Sequence, residues 1–349
     1  MVQRSSIIKD SSPAEGQETA NFEPEVVTGP KPEAARRKKS CAKLRARHWR
    51  GDRTVVTLAL AATLILAIGS SRHVDQTGVG RSPSLVMKAL WRDCADIVLA
   101  GDSRVHRALS PAAMQAYFPG LRILNYAFPG VAYADDYLSA VEGVLARDST
   151  RKIVVLGICP RALTQGAARQ STFEEYTTKT KREKQMILRF GQLQYIFRPF
   201  RMRHNPRPSR RYRHYYRDGF AACYNVPEEP ESVLRSYSRI FDPQDLGPVD
   251  PEITKQLLRA VTRWRGRGIE VYGFRPPTIP EMVAIENEHA KFDERLFAAQ
   301  FEKAGGTWLT IEDENYVAGD ACHLHPEGAV RVSREISERI LGASATSRE

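Results

Sequence analysis

Short apolar runs alternate with longer amphipathic stretches from residue 95 to residue 341. The runs Ala95–Ala100 (ADIVLA), Leu121–Tyr126 (LRILNY), Lys152–Gly157 (KIVVLG), Ile269–Phe274 (IEVYGF) and Thr307–Ile311 read as strands. Between them, helical spacing predicts helices over 82–92, 112–117, 135–146, 250–265, 280–304 and 327–341. Ser82 is the expected N-cap of the first, with Pro83 at its first helical position. Tyr137, Leu138, Val141 and Leu145 share one face of the third. Strands that are apolar at almost every position suit burial on both faces. The pattern therefore predicts an α/β domain, a three-layer sandwich around a central parallel sheet.

Two stretches break this rhythm. Residues 164–249 hold polar helical segments and an arginine-rich run, and read as an insertion over the carboxyl edge of the sheet. Residues 54–70 (TVVTLALAATLILAIGS) carry no charge and reach the short end of the length a membrane-spanning helix needs. The flank before them holds nine Lys/Arg and one acid, Asp52, between 36 and 53; the flank after has only Arg72 nearby. That asymmetry places residues 1–53 in the cytoplasm and the rest outside it. A cleaved signal peptide and a buried soluble helix are the competing readings, and a preceding region of over 50 residues favours an uncleaved signal anchor.

The resulting organisation is a disordered basic tail (1–53), a transmembrane signal anchor (54–70), a linker with a short helix (71–93), the α/β domain (94–342) and a disordered tail (343–349). Localisation follows as single-pass in the cell inner membrane, with the folded domain extracytoplasmic.

Charge changes the picture only locally. The net charge of +11 is exceeded by two stretches of +8 each, 36–53 and 197–217, which leaves the remainder near −5. Neither stretch belongs to a nucleic-acid-binding motif, so nucleic acid is not an expected partner. In 197–217 eight arginines are interleaved with Phe197, Phe200, Tyr212, Tyr215 and Tyr216. The run is either a solvated loop or a surface for an acidic polysaccharide, since aromatic faces stack on sugars and guanidinium groups pair with carboxylates. The five cysteines (Cys41, Cys94, Cys159, Cys223, Cys322) show no C-x-x-C and no paired metal spacing, so zinc is not expected. No other metal and no organic cofactor is expected either. Disulfides among the last four are open, with no pairing readable.

The candidate chemistry lies at two ends of the domain. Gly101-Asp102-Ser103 follows the first strand, and a serine on a strand-to-helix turn projects its hydroxyl off the sheet edge. Asp320-Ala321-Cys322-His323 precedes the last helix. A carboxylate three residues before a histidine can orient it, and the histidine can deprotonate a serine brought near by the fold. The competing readings are a helix-capping serine and polar loop residues. His325 and His106 are weaker candidates for the base. Arg104 and Arg275, near strand ends, are candidate substrate contacts.

These residues resemble the SGNH (GDSL-type) hydrolase superfamily, and most of all its membrane-anchored bacterial branch similar to alginate O-acetyltransferases. The resemblance covers about 94–342. Gly101-Asp102-Ser103 is similar to its nucleophile block, Asn125–Gly130 (NYAFPG) to its second block, and Asp320–His323 to its acid–base block. It implies a flavodoxin-like sheet and a triad of Ser103, His323 and Asp320. It also implies an oxyanion hole from the Ser103 and Gly130 N–H groups. The third block departs: where the family places Gly-x-Asn-Asp, this chain has Gly157-Ile158-Cys159-Pro160-Arg161, with Arg161 the candidate stand-in for the asparagine donor. The expected function is a serine O-acyl esterase or O-acyltransferase acting on an envelope or secreted glycan. The alternatives are a non-catalytic module of the same fold that binds acidic polysaccharide and, more weakly, a lipid esterase.

Overall fold

The computed structural model describes residues 53–64, 67, 78–191, 211–225, 230–240, 245–311, 316 and 320–346. Five strands form the central sheet: β2 (Ile97–Gly101), β3 (Ile123–Asn125), β4 (Ile153–Gly157), β7 (Glu270–Phe274) and β8 (Thr307–Leu309). They are all parallel, in the order β3-β2-β4-β7-β8. The order reverses between β2 and β4, and in open α/β sheets that switch point opens a crevice at the carboxyl ends of the strands.

Period-two alternation explains how wholly apolar strands serve two cores. Val98, Ala100, Val154, Leu156 and Val271 face one side, against Tyr137, Leu138, Leu257, Val261 and Trp264 of the helices Asp135–Val144 and Pro251–Gly266. Ile97, Leu99, Ile153, Val155 and Phe274 face the other, against Val105, Met114, Val332, Ile336 and Ile340. Those residues come from the helices Ser103–Ala108, Pro111–Met114 and Pro326–Thr346. The architecture is therefore a sheet between two helical layers.

Several boundaries differ from expectation for local reasons. Gly80, not Ser82, caps the helix Arg81–Leu90. A separate helix opens at Ser103, because Asp102 accepts a hydrogen bond from Arg104 N at 2.9 Å and caps it. The expected helix over 280–304 is two, Pro280–Ala290 and Glu294–Lys303, divided where Lys291 turns left-handed (φ 56°) and Asp293 caps the second. The last helix continues through Thr346, four residues into the expected tail.

The insertion carries a hairpin where a loop or an arginine-rich surface was expected. β5 (Arg211–Tyr216) pairs antiparallel with β6 (Ala221–Asn225) and with the short β1 (Gly78–Val79). Asp218 O in its turn accepts from Asn125 N at 2.8 Å, which ties the hairpin to the end of β3. Residues 197–210 of the arginine run, including Phe197 and Phe200, lie outside the described residues.

Residues 53–64 are helical with Val55, Val56, Leu58, Leu60 and Leu64 exposed. Among the described residues no helix is long and apolar enough to cross a membrane. Residues 65–66 and 68–70 of the expected span, and nearly all of the basic tail, lie outside them. Cys94, Cys159, Cys223 and Cys322 are free thiols.

Candidate active site

The turn after β2 is built for close approach. A Cβ at Gly101 would stand 2.5 Å from Val105 Cγ2 and 3.0 Å from Gly157 O, so only glycine lets the new helix fold back over the strand ends. Two buried tyrosines brace it from beneath. Tyr137 OH accepts from Gly101 N at 2.9 Å, and Tyr133 OH donates to Gly157 O at 2.9 Å. Asp102 takes the cap role and also accepts from Cys159 Sγ at 3.0 Å, which leaves the Ser103 hydroxyl free for another partner.

That partner is His323, 220 residues away in sequence. Ser103 Oγ lies 2.8 Å from His323 Nε2, and His323 Nδ1 lies 2.8 Å from Asp320 Oδ1. The same carboxylate oxygen accepts from His323 N at 3.0 Å, so one acid fixes both the backbone and the ring of the histidine. Ala321 holds a left-handed conformation (φ 66°), and its carbonyl accepts from Ile279 N at 3.0 Å, which pins the loop to the segment after β7. The acid side of the relay has its own cation: Arg107 Nη1 lies 3.7 Å from Asp320 Oδ2.

Electrostatics follow this arrangement. Burial works against the Asp320 carboxylate, but its hydrogen bond to His323 and the charges of His323 and Arg107 hold its pKa down at about 2. Burial likewise opposes the imidazolium of His323, yet Cys322 and Asp320 beside Nδ1 hold its pKa above the ordinary value. Such a histidine is a stronger proton acceptor than a free one. Cys322 Sγ is buried 3.4 Å from Nδ1 and 2.9 Å from Tyr237 OH, packed behind the relay rather than at its open end. Asp320, Cys322 and His323 offer donor atoms within 4.8 Å of one another, but His323 Nδ1 and Asp320 Oδ1 already bond each other.

A cavity of about 310 Å³ opens in front of Ser103 and His323. Gly130 and Arg161 line it with them, so the three candidate oxyanion donors meet at one place. Ser103 N–H, at the first helical position, has no carbonyl four residues back within the helix. Gly130 turns with φ 71°, a conformation costly for any side chain, and its neighbour Pro129 O accepts from Thr172 Oγ1. Arg161 Nη2 would lie 3.6 Å from a Cβ at Gly130, which puts the guanidinium against the hole where the resemblance expects an asparagine. Lys88, buried, supports the same loop by donating to Ala127 O at 2.6 Å, and burial pushes its pKa well down.

Arg104 and Arg275 do not line the cavity. Both are buried and share Glu286: Arg104 makes a bidentate pair with it, and Arg275 Nη2 reaches it at 3.0 Å. Arg104 also donates to Thr278 Oγ1 at 3.0 Å, and Arg275 to Glu294 at 2.9 Å. These arginines hold the segment Phe274–Glu294 against the nucleophile helix. His325 stacks edge-on against Tyr224, away from the relay.

The cavity wall also holds His106, a weaker candidate for the base in the sequence, and residues to which the sequence assigned no catalytic role. His106 and Arg107 lie three and four residues after Ser103 and share its helix face, a spacing visible in the sequence. Arg213 and Tyr215 come from alternate positions of β5, so the insertion closes one side of the site. Arg81, at the start of its helix, completes the rim.

No family model matches the chain, and no curated protein matches it. Among solved structures, it is similar to a protein provisionally described as a platelet activating factor from Streptococcus pneumonia, at 11% identity and a TM-score of 0.35. The likeness covers 82% of this chain and 98% of that one. At that distance it bears no weight, and the functional reading rests on the arrangement of Ser103, His323 and Asp320.

Proposed function

We propose that the chain is a serine O-acyl esterase or O-acyltransferase of SGNH type, acting on an acylated envelope or secreted glycan. The observation that carries this reading is the continuous relay from Ser103 Oγ through both nitrogens of His323 to Asp320, each link 2.8 Å. His323 Nε2 takes the Ser103 proton as Oγ attacks the ester carbonyl. The tetrahedral oxyanion is met by Ser103 N–H, Gly130 N–H and the Arg161 guanidinium. As the ester C–O bond breaks, the leaving alcohol takes the proton from His323, and the acyl group stays on Ser103. Water or a second hydroxyl then attacks that acyl-enzyme, which gives hydrolysis or transfer by one mechanism.

The anchor belongs to the same proposal. The apolar residues exposed along 53–64 and the basic flank before them support a single span at 54–70, with the N-terminus cytoplasmic and the domain facing the envelope.

A second reading keeps the fold and drops the chemistry, and the substitution at the third block favours it: Arg161 stands where the resemblance expects an asparagine donor. Under that reading the cavity binds acidic glycan without turnover. Hydrolysis of 4-nitrophenyl acetate by the full chain in detergent separates the two. The esterase reading expects turnover that falls by about 10³-fold or more in both Ser103→Ala and His323→Ala. Turnover equal in all three proteins contradicts it.

A further inference from the structure

The cavity in front of Ser103 is lined by four arginines and by no aspartate or glutamate: Arg81, Arg107, Arg161 and Arg213. They arrive from four different elements, so the collection is a product of the fold and not of one charged segment. Arg107 has its counter-ion in Asp320. Among the described residues, Arg81, Arg161 and Arg213 have no carboxylate within ion-pair distance. This is not because the exposed faces lack acids. Elsewhere Arg122, Arg151, Arg263 and Arg339 are each paired with one.

Unmet hydrogen-bonding capacity is found at the same wall. Arg107 Nη1, Arg161 Nε, Arg213 Nε and His106 Nε2 are buried without a hydrogen-bond partner. Arg107 itself is more than nine-tenths buried. A buried donor without an acceptor is costly, and like charges gathered around one cavity add repulsion. His106 reports the resulting field. Burial and the nearby charges of Lys88, Arg107, Arg213 and Arg81 push its pKa well below the ordinary value, so it stays neutral on the cavity wall. A neutral ring can accept or donate one hydrogen bond to a ligand without adding a fifth positive charge.

The missing complement is an oxyanion with several acceptor lone pairs. Guanidinium forks match carboxylate and phosphate geometry, and their pairs are the stronger kind of hydrogen bond. A volume of about 310 Å³ leaves room for a charged group beside a small acyl ester at Ser103. We propose that this cavity is an anion subsite for the substrate itself: Arg213 and Arg81 hold a carboxylate or phosphate carried by the ester that Ser103 attacks, while Arg161 faces the oxyanion. The inference rests on the esterase reading for the word ester, and on the arginines alone for the word anion. The anion takes no part in bond exchange. It fixes the ester with its carbonyl at the oxyanion donors, which lowers the entropic part of the barrier.

Two readouts on the full chain in detergent test it separately from the esterase reading. The first is calorimetric binding of inorganic phosphate and of D-glucuronate to the Ser103→Ala protein, in which no chemistry can occur. Saturable binding that weakens about 10-fold or more in Ser103→Ala/Arg213→Gln is expected. Absence of binding, or binding indifferent to Arg213→Gln, overturns the subsite whether or not the protein is an esterase. The second is kcat/KM for three aryl esters: neutral 4-nitrophenyl acetate, mono-4-nitrophenyl succinate with its charge on the acyl side, and 4-acetoxybenzoate with its charge on the alcohol side. At least one charged ester is expected to exceed the neutral one by about 10-fold, with the advantage shrinking in salt and in Arg213→Gln. The charged ester that gains tells which half of the substrate bears the anion. Values of kcat/KM for both charged esters that are indifferent to salt and to Arg213→Gln, with turnover dependent on Ser103, overturn the inference and leave the esterase standing.

Discussion

Two groups of arginines flank the nucleophile helix, and they are built on opposite terms. On one side Arg104 and Arg275 converge on Glu286, all three buried, with side-chain exposures of 3%, 6% and 0%. On the other side Arg81, Arg161 and Arg213 surround a cavity with no carboxylate of their own. Arg104 and Arg107 sit three residues apart on the same short helix and still reach different acids, Glu286 and Asp320. The first group is neutralised within the protein and holds segments together. The second is left with charge for something that enters. Residue type is the same in both, so the partner, and not the arginine, separates scaffold from site.

The largest effect expected from breaking this contrast is on the scaffold side. Glu286→Ala leaves two buried guanidinium groups facing each other, and loss of one partner of a buried ion pair typically costs about 3–5 kcal/mol. Denaturant unfolding of the full chain should show a loss of that order, and stability equal to wild type would refute the structural role given to Arg104 and Arg275. On the site side the cost should fall on rate. Arg161→Gln removes a cationic oxyanion donor and is expected to lower kcat by about 100- to 1000-fold with KM moving much less, since the donor acts on charge that develops in the transition state. A change confined to KM would make Arg161 a ground-state binder instead.

A smaller and more diagnostic shift concerns pH. His323 must be neutral to accept the Ser103 proton, so activity rises as pH rises through its pKa. That pKa is held above the ordinary 6.5, so the acid limb of kcat/KM should have its midpoint above 6.5. Asp320→Asn removes a carboxylate that favours the imidazolium, and the limb should move to lower pH while the rate falls. A limb that does not move would detach Asp320 from the relay. The smallest effect sharpens the contrast most. Arg213→Gln removes an uncompensated charge, so stability should stay level or rise by up to about 1 kcal/mol, the opposite sign from Glu286→Ala.

What could be read beforehand divides along the same line. Ser103, Gly130, Asp320 and His323 each carry a local signal: a strand-to-helix turn, a glycine after the second strand, and an acid three residues before a histidine. The parallel sheet was legible because its strands are apolar on both faces. Arg104 and Arg275 were misplaced because their position near strand ends says nothing of direction. Their common partner, Glu286, is 182 residues beyond Arg104, and long-range pairing leaves no local trace. The break at Lys291 escaped for a related reason. The apolar spacing runs on through it, and a lysine gives no hint of a left-handed turn. The β5–β6 hairpin did leave a sign in Asp218-Gly219, a turn pair between two stretches that hold tyrosines. Its arginine content pointed instead to a solvated segment. The cavity arginines could not be found from charge density, because only Arg213 belongs to the arginine-rich run.

The measurement that bears most directly on the central claim is fluorophosphonate labelling of the full chain in detergent, read by intact mass and by the modified peptide. An activated serine forms a covalent phosphonyl adduct, and the relay makes Ser103 the residue activated. The expected result is one adduct per chain, located on Ser103, lost in Ser103→Ala and suppressed in His323→Ala. A folded wild-type protein that takes up no label, or takes it up equally without His323, would contradict the account.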